Sequence, residues 1–135
     1  MTRYSDNDMT SKLLFFYGTL RLPHVLKEVL NLEETPTLLD ASIRGFTLRM
    51  WGPYPALVRA EDTATATTIK GKTWSVHEER HLQRLVQYET ENYRLAKVDI
   101  IMEDTSTTPG YTFVWNSYPE ELEDGCFDES QFKAT

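Results

Sequence analysis

The sequence predicts an α+β domain, a small mixed β-barrel of about six or seven strands with helices packed against its outside. A continuous apolar run near the N-terminus has the length of a strand buried on both faces. Short runs of β-forming residues follow, separated by Gly, Pro and Asp. Two further stretches place apolar residues at the spacing of an amphipathic helix.

The individual elements follow from these patterns in chain order. The run Leu13 to Tyr17 stops at Gly18 and predicts the first strand. Pro23 suits the first turn of a helix, and the apolar spacing after it predicts a helix over about residues 23–31. A second helix is predicted over about residues 78–89. The remaining strands are predicted over 38–43, 46–50, 56–60, 69–76, 93–102 and 111–115, with loops over 61–68 and 104–110.

The bulk composition is that of one globular domain. The chain has 135 residues, 40% hydrophobic and 12% aromatic, which is enough for one hydrophobic core. Residues 1–12 are polar and are predicted to be a frayed lead-in to a single domain over residues 13–135. No apolar run approaches the length of a membrane span and no signal-like segment begins the chain. We therefore expect a soluble, cytoplasmic protein.

The net charge of −7 argues against nucleic-acid and membrane partners, since both surfaces are anionic. Much of this charge lies near the C-terminus, where Lys133 alone opposes it, and we interpret that stretch as a solvated tail. Its acidic members are Glu120, Glu121, Glu123, Asp124, Asp128 and Glu129. The single cysteine, Cys126, excludes an internal disulfide, and its acidic neighbours disfavour a reactive thiolate.

One carboxylate in the second predicted helix has the position of a functional group. Leu82, Leu85 and Val86 fall at i, i+3 and i+4 and predict the buried stripe of this helix. Glu89 continues that stripe by one more turn. Burial and the negative end of the helix dipole both disfavour a carboxylate there, which suits a proton shuttle near neutral pH. The residues alone equally allow Glu89 to end the helix facing solvent; neighbouring Glu91 is predicted to be exposed.

The loop after the first strand is a candidate anion site. The segment Tyr17-Gly18-Thr19-Leu20-Arg21-Leu22 leads from the strand into the helix at Pro23. Gly18 permits close backbone approach, and N–H groups at such a turn can bind a carboxylate or an oxyanion. The alternative is an ordinary strand-to-helix connection.

Taken together, the loop and Glu89 resemble the gamma-glutamylcyclotransferase-like family, which includes plant avirulence-induced-gene relatives and gamma-glutamylamine cyclotransferases. The similarity covers about residues 13–116, and the C-terminal extension is similar to a fungal branch of the family. The matching segments are Phe16 to Arg21, Gly45-Phe46, Tyr54 to Leu57, Gly71, Leu85 to Glu89, Tyr93-Arg94, Val98 and Phe113 to Trp115. Two positions depart from the common pattern: Val86-Gln87 replaces a frequent Asp, and Thr90 replaces a frequent Gly.

The resemblance implies a fold, a reaction and a set of site residues. The fold is a small β-barrel with flanking helices. The reaction is a cyclising acyl transfer, also classed as an amide lyase, that releases 5-oxoproline from a small gamma-glutamyl amide or peptide without a metal or cofactor. Glu89 would be its acid/base. The substrate-binding residues would be Tyr17, Gly18, Thr19, Leu20, Arg21, Leu22 and Tyr93.

Other interpretations of the sequence remain open. His77-Glu78-Glu79-Arg80-His81 matches a zinc-peptidase motif, which works only if both histidines share one helix face. The strand pattern before His77 places it ahead of the helix and disfavours this reading. The fold could also serve as a small-molecule binding module or another proton-transfer enzyme. The aromatic residues Trp51, Tyr54, Tyr88 and Tyr93 favour core packing over substrate contact, although the turn from Trp51 to Pro55 could also form a wall of the pocket.

Overall fold

A computed structural model describes residues 11–60 and 67–125. Residues 1–10, 61–66 and 126–135 lie outside the described part of the chain. Most of the predicted lead-in, most of the loop predicted over 61–68, and Cys126 with the acidic residues after it fall in those segments.

The described chain contains six strands, two α-helices and two short 3₁₀ turns. The α-helices are α1 (Pro23–Leu30) and α2 (Glu79–Glu89), and the 3₁₀ turns span Thr19–Arg21 and Pro119–Glu121. The strands are β1 (Lys12–Phe16), β2 (Leu39–Trp51), β3 (Tyr54–Arg59), β4 (Thr67–Val76), β5 (Tyr93–Met102) and β6 (Thr107–Trp115). Both predicted helices and the strand predicted over 93–102 are present within a residue or two of their expected bounds.

All six strands form one sheet in the order β3-β2-β4-β1-β6-β5. A further antiparallel pairing between β2 and β5, at Ala41–Met102 and Ser42–Ile101, closes five strands into a barrel and leaves β3 as an extra strand. The β1–β6 pair is parallel and the other pairs are antiparallel. The predicted mixed barrel is confirmed.

Strand β1 runs through the centre of the sheet, between β4 and β6. Its side chains alternate between two cores: Leu14 and Phe16 pack in the cluster that contains the helices, and Phe15 packs in the barrel interior. All three are 2% exposed or less. The prediction of a strand buried on both faces is therefore confirmed, although the strand already begins at Lys12.

Strand β2 corrects the prediction of two separate strands over 38–43 and 46–50. It is a single strand of 13 residues that is bent where its pairing register with β4 shifts, between Ile43 and Phe46. Gly45 has a φ of +92° at this bend, a conformation that glycine adopts without steric cost. Before the bend β2 pairs with β4 and β5, and after it β2 pairs with β3.

Strand β6 begins earlier than predicted, because Thr107 to Gly110 pair with β5 instead of forming a loop. Pro109 is tolerated there because, among the described residues, β1 pairs with β6 only at Tyr111 and Thr112, and the proline lies outside that pairing. Within the described residues, no helix is long and apolar enough to cross a membrane.

Candidate active site

The loop after β1 approaches the start of β3 closely. Gly18 faces Pro55, and a Cβ atom at position 18 would lie 3.1 Å from the Pro55 Cγ atom. A larger residue would press the loop away from β3. The following 3₁₀ turn is closed by hydrogen bonds from the N–H groups of Arg21 and Leu22 to the carbonyls of Gly18 and Thr19, each 3.0 Å long. The N–H groups of residues 18–20 come before these donors in the chain and do not donate hydrogen bonds within the turn.

Two hydroxyl groups fix this loop to its surroundings. The buried Tyr17 hydroxyl donates a 2.6 Å hydrogen bond to the carbonyl of Phe113 in β6. The hydroxyls of Thr19 and Tyr88 form a 2.7 Å hydrogen bond that joins the loop to the last turn of α2. The loop is thus held between the barrel and the helix.

Glu89 is the last residue of α2, on its buried side. The stripe runs through the buried residues His81 and Leu85 and reaches the partly buried Glu89 at successive four-residue steps. Val86, which the sequence analysis placed on this stripe, is 47% exposed. The prediction for Val86 was wrong because the buried side of the helix follows His81, Leu85 and Glu89, which leaves Val86 facing solvent; Glu89 is where it was expected.

Burial raises the pKa of the Glu89 carboxyl from 4.5 to about 7. The charge of the same carboxylate contributes to raising the pKa of three tyrosines around it. Burial first, and the Glu89 charge after it, raise the pKa of Tyr17 and of Tyr93. For Tyr88, burial and Glu89 raise the pKa against the opposing effect of the Thr19 hydrogen bond. Glu89 therefore changes protonation state near neutral pH at the centre of a group of phenols.

These residues surround a cavity of about 290 Å³, which we call the Glu89 cavity. Its lining residues are Tyr17, Gly18, Thr19, Trp51, Tyr54, Pro55, Tyr88, Glu89, Thr90, Asn92 and Tyr93. Five of the eight predicted site residues line it: Tyr17, Gly18, Thr19, Glu89 and Tyr93. Leu20 is instead 2% exposed in the core against the helices, and Arg21 and Leu22 are not among the lining residues.

Aromatic residues contribute more of the site than the sequence analysis expected. Trp51, Tyr54 and Tyr88, for which the sequence favoured core packing, line the Glu89 cavity beside the predicted site residue Tyr93. Thr90 and Asn92 were not predicted as site residues at all. Their position directly after Glu89 was the available signal, since the chain must turn there to begin β5.

Thr90 ends α2 in an unusual backbone conformation. Its φ is +66° and its ψ is 178°, a region that is populated almost only by glycine. The family resemblance expects a Gly at this position, and the backbone geometry gives the physical reason. Thr90 donates its N–H to the carbonyl of Val86, 3.1 Å away, which closes the helix beside Glu89.

The zinc-motif histidines lie in different environments. His77 precedes α2, and its Nδ1 atom is 2.6 Å from the Ser11 hydroxyl. His81 is buried inside α2 with its ring 6.1 Å from that of Trp74. In residues 11–60 and 67–125, no group of three or more His, Cys, Asp or Glu side chains is arranged to hold a metal ion.

A larger cleft, of about 770 Å³, lies between the bend of β2 and the strands β5 and β6. Arg44, Arg59 and Lys97 contribute to its lining, and none of the predicted site residues does. The smaller Glu89 cavity is the better candidate active site because it combines a titrating carboxyl with several fixed hydroxyl groups.

Comparisons with known proteins place the chain in a family. The profile of the family described as "Gamma-glutamyl cyclotransferase, AIG2-like" matches residues 14–133. A solution structure from Arabidopsis thaliana is 25% identical, with a TM-score of 0.69 over 96% of this chain and 85% of that one. A second Arabidopsis thaliana protein is 22% identical, with a TM-score of 0.70 over 91% of this chain and 74% of that one.

An AIG2-like protein from Mus musculus has the same fold, with 18% identity and a TM-score of 0.63 over 82% of this chain and 81% of that one. No curated protein sequence matches the chain. Because the family profile covers most of the chain, and the Glu89 cavity combines the loop and the carboxylate that the sequence pointed to, the chain belongs to the AIG2-like gamma-glutamyl cyclotransferase family.

Proposed function

We propose that the protein is a gamma-glutamylcyclotransferase that releases 5-oxoproline from a gamma-glutamyl amide, with Glu89 as the acid/base. The observation that carries the proposal is the position of Glu89: a partly buried carboxyl that faces the Tyr17–Thr19 loop across a cavity for a small molecule. Family membership supports the reaction class.

The first step is proton removal from the substrate. The alpha-ammonium of the glutamyl group gives one proton to the Glu89 carboxylate, and the freed amine attacks the gamma-carbonyl carbon of the same molecule. Because both reacting groups belong to one substrate, the protein mainly has to hold them in contact. A pKa of about 7 leaves Glu89 ionised in a large fraction of molecules at neutral pH.

The second step returns the proton. The tetrahedral carbon expels the leaving nitrogen, which takes the proton held by Glu89, so that the carbon–nitrogen bond breaks and an amine departs. The ring nitrogen then releases its remaining extra proton to the Glu89 carboxylate and from there to solvent, which leaves neutral lactam. The N–H groups of residues 18–20 are suited to hold the substrate carboxylate or the oxyanion.

The test is the pair Glu89→Gln and Glu91→Gln. Glutamine keeps the shape of Glu89 and cannot carry the proton, so we expect kcat to fall by about 10²–10⁴-fold with substrate binding retained. Glu91 is an exposed neighbour, and its substitution should leave turnover unchanged. The measurement is 5-oxoproline release from a panel of gamma-glutamyl amides, with calorimetric binding of the same compounds.

Full activity of Glu89→Gln would refute the mechanism. Ligand binding without 5-oxoproline release from any compound would refute the enzyme assignment and favour a binding module on the same fold.

A further inference from the structure

The Glu89 cavity has two ends of different character. At its inner end, Tyr17 and Thr19 are 8% exposed and Pro55 is buried. At its outer end, Tyr54 and Tyr88 are 43% and 41% exposed. With Trp51, which also lines the cavity, these two tyrosines form what we call the aromatic mouth. The two tyrosine rings form the exposed part of the lining together with Thr90, so a ligand that fills the cavity contacts them.

This inference rests on the proposed function, which orients the substrate along the cavity. The glutamyl group carries an ammonium and a carboxylate, and both need polar partners. The hydroxyl groups of Tyr17 and Thr19 and the loop N–H groups lie at the inner end, and the partly buried Glu89 lines the same cavity, so we place the glutamyl group there. The departing amine then points toward the aromatic mouth. A cavity of about 290 Å³ is at the small end for ligand pockets, which limits that amine to a small molecule.

Charge at the aromatic mouth selects the kind of amine. Among the described residues that line the cavity, Glu89 is the only one whose side chain is ionisable near neutral pH. A carboxylate on the leaving group would meet no cation in this lining and would be repelled by the Glu89 carboxylate. A leaving group with an ammonium would lie near Glu89 and lower its pKa, which weakens Glu89 as the base that takes the proton from the substrate.

Ring contacts and hydrogen bonds support the aromatic mouth on the Trp51 side. Trp51 pairs with Tyr54 across the β2–β3 hairpin, and its ring lies 5.2 Å from that of Trp115. Trp115 is held by a 3.0 Å hydrogen bond from its Nε1 atom to the Tyr118 carbonyl. Tyr93 packs edge-on against Trp115 at 5.4 Å and donates a 3.0 Å hydrogen bond to the Pro55 carbonyl. A preformed apolar wall costs little ordering when a flat group binds to it.

We propose that the leaving amine of this enzyme carries a small, uncharged aromatic group that packs against Trp51 and Tyr54 at the aromatic mouth. Aromatic pairs gain from offset or edge-to-face contact beyond the area that they bury. The substrate class is therefore the gamma-glutamyl amides of small arylamines or arylalkylamines, in preference to dipeptides or amides that carry a second charge.

The first experiment compares kcat/KM across four compounds with the full chain. They are gamma-glutamyl benzylamide, the matched saturated cyclohexylmethylamide, gamma-glutamyl-ε-lysine with its added charges, and glutathione with its added carboxylate. We expect the benzylamide to exceed each charged compound by at least about tenfold, and the saturated amide by a smaller factor. Equal or faster turnover of a charged compound overturns this inference and leaves the proposed function intact. If no compound yields 5-oxoproline, both fail.

The second experiment locates the preference in the protein. Tyr54→Ala should lower kcat/KM for the benzylamide about tenfold more than for gamma-glutamyl ethylamide, which lacks the ring. The matched control is Tyr118→Ala, because Tyr118 is 71% exposed and does not line the cavity. Thermal unfolding of both variants checks that the fold is kept. An equal loss for both amides in Tyr54→Ala would show that the ring contact does not set the preference.

Discussion

The hydroxyl groups of Thr19 and Tyr88 lie 2.7 Å apart and join the loop after β1 to the last turn of α2. Thr19 lies at the inner end of the Glu89 cavity, and Tyr88 immediately precedes the proposed acid/base. This hydrogen bond therefore couples the group that would bind the substrate to the group that would move its proton.

Removal of this hydrogen bond should weaken catalysis more than folding. Tyr88→Phe keeps the ring and deletes the hydroxyl, and we expect kcat/KM to fall about tenfold with less than about 1 kcal/mol lost in unfolding free energy. Steady-state kinetics and urea unfolding measure both. Tyr118→Phe is the matched control on an exposed ring. A kcat/KM equal to wild type in Tyr88→Phe would show that the loop does not depend on this contact.

The stability of the fold should decrease as pH rises through the titration of Glu89. Burial raises the pKa of Glu89 from 4.5 to about 7, so between these values the unfolded chain has lost a proton that the folded chain still holds. Ionisation then favours the unfolded state. As pH rises from about 4 to about 8, the unfolding free energy of Glu89→Gln minus that of wild type should therefore increase by roughly 2 kcal/mol, after allowance for partial exposure.

Urea unfolding at a series of pH values measures this difference, with Glu91→Gln expected to follow the wild-type curve. Parallel curves for wild type and Glu89→Gln would contradict a raised pKa at Glu89.

Thr90→Gly should stabilise the protein. Thr90 has a φ of +66°, which is costly for a β-branched residue and free of steric cost for glycine. In return, its hydroxyl accepts two long hydrogen bonds of 3.4 Å, both from Asn92. We expect a gain of about 1 kcal/mol, seen as a higher Tm by calorimetry. The control is the same substitution at Thr105, which has a φ of +70° in an exposed turn away from the Glu89 cavity. A lower Tm for Thr90→Gly would indicate that the threonine side chain is needed.

The segment after β6 should support the aromatic mouth. Leu122 is 4% exposed and packs with Trp115 and Ala56, and the neighbouring Glu123 exchanges two 2.8 Å backbone hydrogen bonds with Met50 at the end of β2. Leu122→Ala should cost about 2–4 kcal/mol of unfolding free energy. The exposed Leu39→Ala, at 52% exposure, should cost less than 1 kcal/mol by rough estimate. Equal costs for both would show that Leu122 is not a core residue.

Periodicity in the sequence predicted the helices and Glu89 because these depend on local spacing. The helix α2 carries its own pattern, and the carboxylate at its end could be recognised without the rest of the fold. The bend in β2 was not predictable in the same way, because a single Gly45 between two β-type runs equally suits a turn. Its role is decided by pairing with β4 and β5, which are distant in sequence.

For a related reason, the sequence favoured core packing for the residues of the aromatic mouth and kept the turn from Trp51 to Pro55 only as an alternative wall of the pocket. Trp51 and Tyr54 flank the β2–β3 turn, and nothing near them in sequence indicates that Tyr88 and Glu89 lie opposite. An aromatic residue in a strand is usually core, and Trp51 does pack on Trp115. Only the three-dimensional arrangement of the hairpin and the end of α2 shows that these residues line the cavity as well as pack in the core.

The central place of β1 has a consequence for how the chain folds during synthesis. Its hydrogen-bond partners are β4 on one side and Tyr111 and Thr112 of β6 on the other, so the sheet is incomplete until nearly the whole described chain has left the ribosome. Until then the apolar residues of β1 have one open edge, which is a template for pairing with other chains. Such long-range pairing also slows folding. Nascent chains that stall before β6 therefore expose this apolar strand edge and are open to aggregation.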